Sequence, residues 1–403
     1  MPAQTESLIK LISATSSGRG KATQKISNFR YQRTTDSWDY KMRPNQINVT
    51  NEISTNGATM RIQLPAFSSA VGEQWLQIDL PQLSGDAKYD PHVGAKLIKN
   101  LRLIHSDIAW ECEPERVWPI LLSCCRDDKL KEKRKAIFGN ATASANAQSI
   151  CVPLLQPWSV HFSDEMYRSD GVRQGRRTRG LFPAFGLKEN CVWEIEFQPR
   201  SHYTSDASTD SAAGPSNIAL GWEEVVASSE TLNKIKKSLP LQVCCPDFTF
   251  LKNQTNAGVE KEYNITSVTS RAPTNNLWLL VKANSDVSRD PFNLVAEIDT
   301  EELECDGRIV LTNKDESRAV RRYIDMIEGR PKSQDTSPQC PVITLGNDAG
   351  YSVAHSRQQL SNTACNSVTL RVKCDAASTF DICAEHQMHY EVSGGTIRSQ
   401  NVY

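Results

Sequence analysis

The sequence predicts an all-β protein with two sandwich domains, and three observations support this prediction. Apolar residues alternate with polar ones along many short segments, as in strands with one buried face. Clusters of Pro, Gly, Asn, Asp and Ser separate these segments and indicate turns. A chain of 403 residues is also long enough for two domains of about 150–200 residues each.

The alternation is clearest in five segments, of which the last is the longest. They are residues 60–64, 76–80, 193–197, 368–374 and 380–392. Many short strands of this kind fold as sandwiches or barrels.

Two segments instead show helical periodicity. Residues 222–237 place Trp222, Val225 and Leu232 on one face, with glutamates early and lysines late, which suits a helix dipole. A second short helix is predicted at residues 315–328, where apolar side chains group in the same way.

Charge and hydropathy exclude several protein classes. Lysine and arginine number 46 and aspartate and glutamate 47, so the basic excess of a nucleic-acid coat is missing. The apolar residues 8–12 are interrupted by Lys10, unlike a secretory signal. The longest apolar run, residues 117–125, is far below the roughly 20 residues that span a bilayer. We therefore expect a soluble protein, made inside a cell, without direct sequence-specific binding of nucleic acid.

The twelve cysteines predict buried thiols and not a disulfide framework. Two adjacent pairs, at residues 124–125 and 244–245, have poor geometry for bridging each other. No C-x-x-C motif occurs, which removes the usual zinc-knuckle and redox signals. Several cysteines fall inside apolar strands, where a free thiol acts as a small hydrophobic side chain.

His386 and His389 form the nearest approach to a metal motif. Residues three apart on a strand point to opposite faces, so we expect His386 to face inward with Ile382 and His389 to face outward. Two such side chains cannot hold one ion together. We therefore predict no metal site and no cofactor.

Two charged clusters have open interpretations. The arginines at positions 173, 176, 177 and 179 either contact phosphate or an acidic partner, or form a solvated loop between strands, which the interspersed glycines favour. The carboxylates of Asp299, Glu301, Glu302 and Glu304 either bind a hard cation or form an exposed loop. The second alternative is favoured because the glycine of a calcium loop is missing.

Motifs for catalysis are absent from the sequence. It contains no G-x-S-x-G, no G-x-x-x-x-G-K-[ST], no H-E-x-x-H and no G-x-G-x-x-G. We therefore predict no catalytic residues and expect that the protein is not an enzyme.

Several segments, taken in order along the chain, resemble one protein family. They are residues 7–35, "QWLQIDLP…VGAKLIKNLRLIHSDIAWECEPERVWPILL", "VPLLQPWSVHF", "LFPAFGLKENCVWEIEF", "YSVAHSRQQLSNTACNSVTLRV" and "FDICAEHQMHYEVSGGTIRS". The last two are the most specific. With them the chain resembles a short, diverged member of the double jelly-roll major capsid proteins of nucleocytoplasmic large DNA viruses.

This resemblance implies two consecutive jelly-roll sandwiches with short helices in their loops. An N-terminal arm is expected at residues 1–21, the first jelly roll at 22–256 and the second at 257–403. "CCPDFTFLKN" would then be the last strand of the first jelly roll, and "EKEYNITSVTSRAPTNNLWLLVK" would open the second. Residues 202–239 would be an inserted loop with a helix, either an outward tower or a decorative loop.

The resemblance also implies a function. A member of this family is a structural virion protein whose three copies form a six-sided capsomer, and capsomers tile an icosahedral shell. The expected partners are the chain itself, neighbouring capsomers, minor or penton capsid proteins and an inner membrane beneath the shell. The expected location is the virion, with assembly in the host cytoplasm.

Two other function classes stay open at this point. A β-sandwich can serve as a lectin-like module that binds a carbohydrate or a receptor through aromatic loop residues, although most of the eight tryptophans fall in or beside strands. An enzyme on a β-sandwich scaffold is the third class. A stable trimer without ligand would favour the capsid subunit, and retention on a sugar matrix would favour the lectin.

Overall fold

Both halves of the chain form antiparallel β-sandwiches. The computed structural model describes residues 40–64, 71–105, 108–123, 128–155, 184, 187, 190–230, 233, 241–270, 274–285, 288–293, 298–314, 342–344 and 367–400. Within these ranges lie nineteen strands and four short α-helices.

Ten strands belong to the first half. They are β1 (Tyr40–Glu52), β2 (Thr59–Gln63), β3 (Val71–Leu80), β4 (Lys88–Tyr89), β5 (Ile98–His105), β6 (Ile108–Cys112), β7 (Gln148–Pro153), β8 (Val192–Phe197), β9 (Thr204–Ser205) and β10 (Ser216–Ala227). Eight of them form two four-stranded sheets, in the orders β1-β10-β3-β7 and β2-β8-β5-β6, while β4 and β9 pair with each other.

Nine strands belong to the second half. They are β11 (Leu241–Ala257), β12 (Lys261–Asn264), β13 (Thr274–Ala283), β14 (Ile298–Cys305), β15 (Arg308–Lys314), β16 (Val342–Thr344), β17 (Val368–Cys374), β18 (Ala377–Ser393) and β19 (Thr396–Gln400). Their sheets have the orders β11-β18-β13-β16 and β12-β17-β14-β15, and β19 pairs with β18. The second half therefore repeats the strand order of the first, and each half is a jelly roll.

Each jelly roll encloses its own apolar core, because alternate side chains of both sheets point inward. In the first, Leu76 and Ile195 are fully buried, and Trp193 Nε1 donates a hydrogen bond to Gln74 Oε1 across the sandwich at 2.7 Å. In the second, Leu279 and Leu370 lie at the centre. These cores confirm the predicted all-β fold and the five predicted strand segments, which lie in β2, β3, β8, β17 and β18.

The α-helices are short and lie between strands. The helix α1 (Pro114–Ser123) and the helix α2 (Asp128–Ala136) connect β6 to β7, whereas α3 (Arg200–Tyr203) and α4 (Thr266–Thr269) are single turns. Pro114 opens α1, a position where the missing amide hydrogen removes no helical bond.

The predicted helix at residues 222–237 is wrong for its first part, since Trp222 lies in β10. This strand is central in its sheet, between β1 and β3, and Leu220 and Trp222 point into the core. Its outward face carries the small residues Ala219 and Gly221, so the alternation between polar and apolar residues is lost. Residues 216–227 are therefore a central strand of the first jelly roll, which contradicts the predicted insertion, tower or decorative loop, over this part of residues 202–239.

The strand expected to close the first jelly roll also lies elsewhere. Residues 244–253 belong to β11, which pairs with β18 from Leu241 to Ala257 and therefore opens the second jelly roll. We propose residues 228–240 as the connection between the jelly rolls, in place of a boundary at 256–257. The predicted arm at residues 1–21 and the predicted helix at 315–328 lie outside the described residues.

Candidate assembly interface

The helix α1 lies between the two jelly rolls and contacts both. Its residues Val117 and Leu121 are buried in the core of the first jelly roll. Ile120 instead packs in a separate cluster with Trp278, Leu280 and Cys383 of the second jelly roll. Because α1 is covered on two sides, it joins the sandwiches through apolar contacts on both.

Trp278 and Leu280 lie on the outward face of β13, opposite the core residues Leu277 and Leu279. Side chains on an outward sheet face normally meet water. Trp278 is nevertheless fully buried, because α1 of the first jelly roll covers this face.

A carboxylate fixes the buried tryptophan in place. Glu385 Oε2 accepts hydrogen bonds from Trp278 Nε1 at 2.8 Å and from Asn276 Nδ2 at 2.9 Å. Glu385 itself is 2% exposed. A buried carboxylate is tolerated where donors of this kind replace its lost hydration.

Ion pairs surround the apolar contact. Arg116 Nε on α1 donates to Asp381 Oδ2 on β18 at 2.7 Å, and Lys252 Nζ on β11 lies 2.5 Å from Glu113 Oε1 beside α1. Burial alone would lower the pKa of Arg116, but the charge and hydrogen bond of Asp381 and the charges of Glu113 and Glu115 together outweigh it, so the pKa is raised. Each pair links the first jelly roll to the second.

A second link is the segment at residues 288–293, between β13 and β14, which we call the strap. Asp90 of the first jelly roll accepts hydrogen bonds from Lys96 Nζ at 2.6 Å and from Arg289 Nε of the strap at 2.7 Å. The Asp90 side chain is 2% exposed, so the strap places one cation on a buried carboxylate.

The strap also inserts an aromatic side chain into the first jelly roll. Phe292 joins that core and stacks at an angle against Phe138 and His92, with ring centroids 5.7 and 5.2 Å apart. His92 Nδ1 lies 3.1 Å from Asp290 Oδ1. The strap and α1 together hold the two sandwiches in one fixed relation.

The histidine, carboxylate and arginine positions considered as possible sites in the sequence lie in different parts of the chain. His386 is fully buried on β18, as predicted, with Nδ1 3.3 Å from Thr274 Oγ1. The carboxylates at residues 299–304 lie on the strand β14 and not in a loop, and Glu302 and Glu304 bind Arg371. The four arginines at residues 173–179 lie outside the described residues.

Metal clusters, membrane-spanning helices and disulfides are absent from the described ranges. There, no group of three or more His, Cys, Asp or Glu side chains is placed to hold a metal ion. No helix among these residues is long and apolar enough to cross a membrane. None of the six cysteines with described side chains forms a disulfide bond, and five of them are buried.

The fold has clear counterparts among solved structures. A chain of the PBCV-1 virus capsid superimposes with a TM-score of 0.64 at 10% identity, covering 91% of this chain and 98% of that one. The Faustovirus major capsid protein gives 0.58 at 7% identity and covers 97% and 98%. The chain has the double jelly-roll fold of viral major capsid proteins.

A further solved structure matches the fold, whereas comparisons of the sequence find no match. The mavirus major capsid protein superimposes with a TM-score of 0.50 at 7% identity, over 92% of each chain. No protein-family model and no curated protein sequence matches the chain. The double jelly roll is therefore recognised by its shape and strand order, while nine in ten aligned residues differ from these capsid proteins.

Proposed function

We propose that this chain is a capsid subunit and that its function is self-assembly, without an active site. Solved capsid proteins share its fold over almost the full length of both chains. The buried carboxylates of Asp90 and Glu385 bind neighbouring side chains, and the pair of Asp90 with Arg289 links the two jelly rolls. They have structural partners and are explained without a substrate.

The observation that carries the proposal is the fixed contact between the jelly rolls. Relative motion is the default for neighbouring domains unless their interface is large and apolar. Here Ile120 and Trp278 form an apolar contact, and Phe292 crosses from one jelly roll into the core of the other. A shell subunit needs this rigidity, because its neighbours are placed by its own geometry.

We further propose that three copies close into a six-sided capsomer that tiles the virion shell, after synthesis in the host cytoplasm. The near-zero net charge of −1 suits dense packing of identical copies, because self-repulsion is small. Contacts with neighbouring capsomers belong to this proposal. Minor or penton capsid proteins and an inner membrane stay predictions from the family resemblance.

The solution mass of the purified chain tests this proposal. Light scattering on a sizing column should give one compact species at three times the chain mass of 45.0 kDa, stable on dilution because an obligate interface buries roughly 2,000 Å² or more. A folded monomer that is retained on a sugar matrix would contradict it and would favour a carbohydrate-binding module.

A further inference from the structure

Two corresponding sheets have outward faces of opposite charge. The orders β2-β8-β5-β6 and β12-β17-β14-β15 place β8 and β17 at the same position, each between two other strands. Alternate residues of both strands are buried, so the residues between them face outward. On β8 these include Glu194 and Glu196, and on β17 they include Arg371 and Lys373. The inner strand is therefore acidic on one face and basic on the other.

The strands on both sides of β8 carry basic residues. Arg61 on β2 and Arg102 on β5 stand directly opposite Glu194, and each donates a hydrogen bond to its carboxylate at 2.7 Å. Lys99 on β5 donates to Glu196 at 2.6 Å. The Arg61 side chain is still 71% exposed. We call these five residues the acid-centred face.

The strands on both sides of β17 carry acidic residues. Glu262 on β12 and Glu302 on β14 stand directly opposite Arg371 and accept its hydrogen bonds at 2.7 and 2.6 Å. Glu304 Oε2 on β14 lies 2.9 Å from Nη2 of the same arginine. The Glu262 side chain is 61% exposed. Together with Lys373 these residues form what we call the base-centred face.

The two faces are complementary when they are turned toward each other. Each carries one sign of charge on its inner strand and the other sign on both flanking strands, so the pattern is symmetric about its centre. The acidic strand of one face then meets the basic strand of the other, and each basic flank meets an acidic flank. Two copies of the same face would instead bring like charges together, which is unfavourable at a contact between proteins.

The two faces of one chain cannot meet each other. The second jelly roll meets the first through its other sheet, where α1 covers Trp278 on the outward side of β13. The base-centred face lies on the opposite side of the same sandwich and therefore points away from the first jelly roll of its own chain. The matching surface must then come from another molecule, and a second copy of this chain presents it.

We propose that the acid-centred face of one copy docks on the base-centred face of a copy in a neighbouring trimer. The inference rests on the proposed self-assembly, and it concerns the contact between capsomers and not the contact within one. The pairing is specific, because first jelly rolls attract second jelly rolls and repel one another. The charges thereby fix the orientation in which neighbouring capsomers pack.

Two inverted variants test the inference. The first inverts the acid-centred face with Arg61→Glu, Glu194→Arg and Arg102→Glu. The second inverts the base-centred face with Glu262→Arg, Glu302→Arg, Glu304→Arg and Arg371→Glu. Opposite charges still face each other across the strands in both variants, so the sheets keep their ion pairs. Asp86→Arg, at an exposed position between β3 and β4, is the control.

Sedimentation velocity of purified trimers at low ionic strength, across a concentration series, measures the contact. Wild-type trimers should associate, and each inverted variant alone should need a roughly tenfold or higher concentration to do so, because its two faces now carry the same pattern. An equal mixture of the two variants should associate like the wild type, since each supplies the face that the other lacks. Asp86→Arg should change nothing, and high salt should weaken every association.

The outcomes separate this inference from the proposed function. Wild-type trimers that do not associate, inverted variants that associate like the wild type, or a mixture that does not recover would each overturn the docking and leave the capsid function standing. A wild-type chain that is monomeric at every concentration would overturn both. Thermal melting shows whether each variant is folded. If one is not, the single exposed changes Arg61→Glu and Glu262→Arg decide, since each should weaken association and an unchanged association would overturn the inference.

Discussion

The two jelly rolls share a fold but carry opposite charges at one corresponding place. On the solvent face of the first, Glu194 of β8 is paired with Arg61 of β2 and Arg102 of β5. On the same three strands of the second, Arg371 of β17 is paired with Glu262 and Glu302. One triad is the charge inverse of the other.

This comparison shows which features specify the fold and which do not. Directly opposed side chains on neighbouring strands stabilise a sheet when their charges are opposite, whichever strand carries which sign. The strand order is instead specified by the apolar residues that face inward. Examples are Leu101 in the first jelly roll and Leu303 in the second, and both are buried. The halves can therefore diverge on their surfaces while keeping one topology.

The largest expected effect is at Trp278 of β13, which is fully buried, whereas Trp75, at the corresponding place on β3, is partly exposed. Trp278→Ala should lower the free energy of unfolding by about 3–5 kcal/mol, because it leaves a cavity under α1 and removes a donor from buried Glu385. Urea unfolding followed by circular dichroism measures this change. Trp75→Ala should cost clearly less in the isolated chain, and equal losses for both variants would contradict the difference in covering.

The next largest effect is expected at the contact between the strap and the first jelly roll, where Asp90 binds Arg289. Asp90→Asn should destabilise the chain by about 3 kcal/mol, because it leaves Lys96, whose side chain is 10% exposed, without its carboxylate. Small-angle scattering should then show a wider range of distances between the two jelly rolls. Arg289→Met, at a side chain 43% exposed, is the milder control. An unchanged unfolding midpoint for Asp90→Asn would refute the role of this carboxylate.

A smaller effect comes from making the first jelly roll more like the second. Gly221→Cys introduces the residue that stands at the corresponding position 383, but its Cβ would collide with Trp75. We expect a loss of about 1–3 kcal/mol in the free energy of unfolding from overpacking, because the indole must move. Thermal melting measures this loss, and Cys383→Ala, which adds no atoms, is the comparison variant.

The smallest effect concerns acid stability at the charge triads. Hydrogen bonds from Arg61 and Arg102 hold the pKa of Glu194 below its ordinary value. The stabilisation from Glu194 is therefore present above the ordinary glutamate range, about 4.3, and is lost as the pH falls through the lower pKa of the folded state. Melting temperatures measured from pH 6 to pH 3 should fall less steeply for Glu194→Gln. High salt should reduce this difference, and identical slopes at low salt would argue against it.

Much of the fold could be predicted from the sequence because most strands have one wet face. Residues 193–197 alternate clearly, with Trp193 and Ile195 buried and the glutamates outside. The helix predicted over β10 is wrong for the opposite reason: Ala219 and Leu220 are both buried, so buried and exposed residues do not alternate with a period of two there. The glutamates that follow Trp222 and the lysines further along have the charge order of a helix, which explains the wrong prediction.

The interface was harder to predict than the strands. The apolar run that begins at Val117 is the helix α1, which contacts a jelly roll on either side and so lacks a continuous polar face. Asp90 and Arg289 are 199 positions apart, so their contact cannot be predicted from a local sequence pattern. Trp75 and Trp278 occupy corresponding positions in the two jelly rolls, but this correspondence follows from the strand order and not from the sequence alone.

Electron cryomicroscopy of the purified assembly tests the central claim most directly, namely that the chain is a capsid subunit made of two rigidly joined jelly rolls. The account predicts three chains whose six jelly rolls close one ring, with α1 and the strap joining the two jelly rolls of each chain. Monomeric particles, or an assembly in which the two jelly rolls of one chain take variable relative positions, would contradict it.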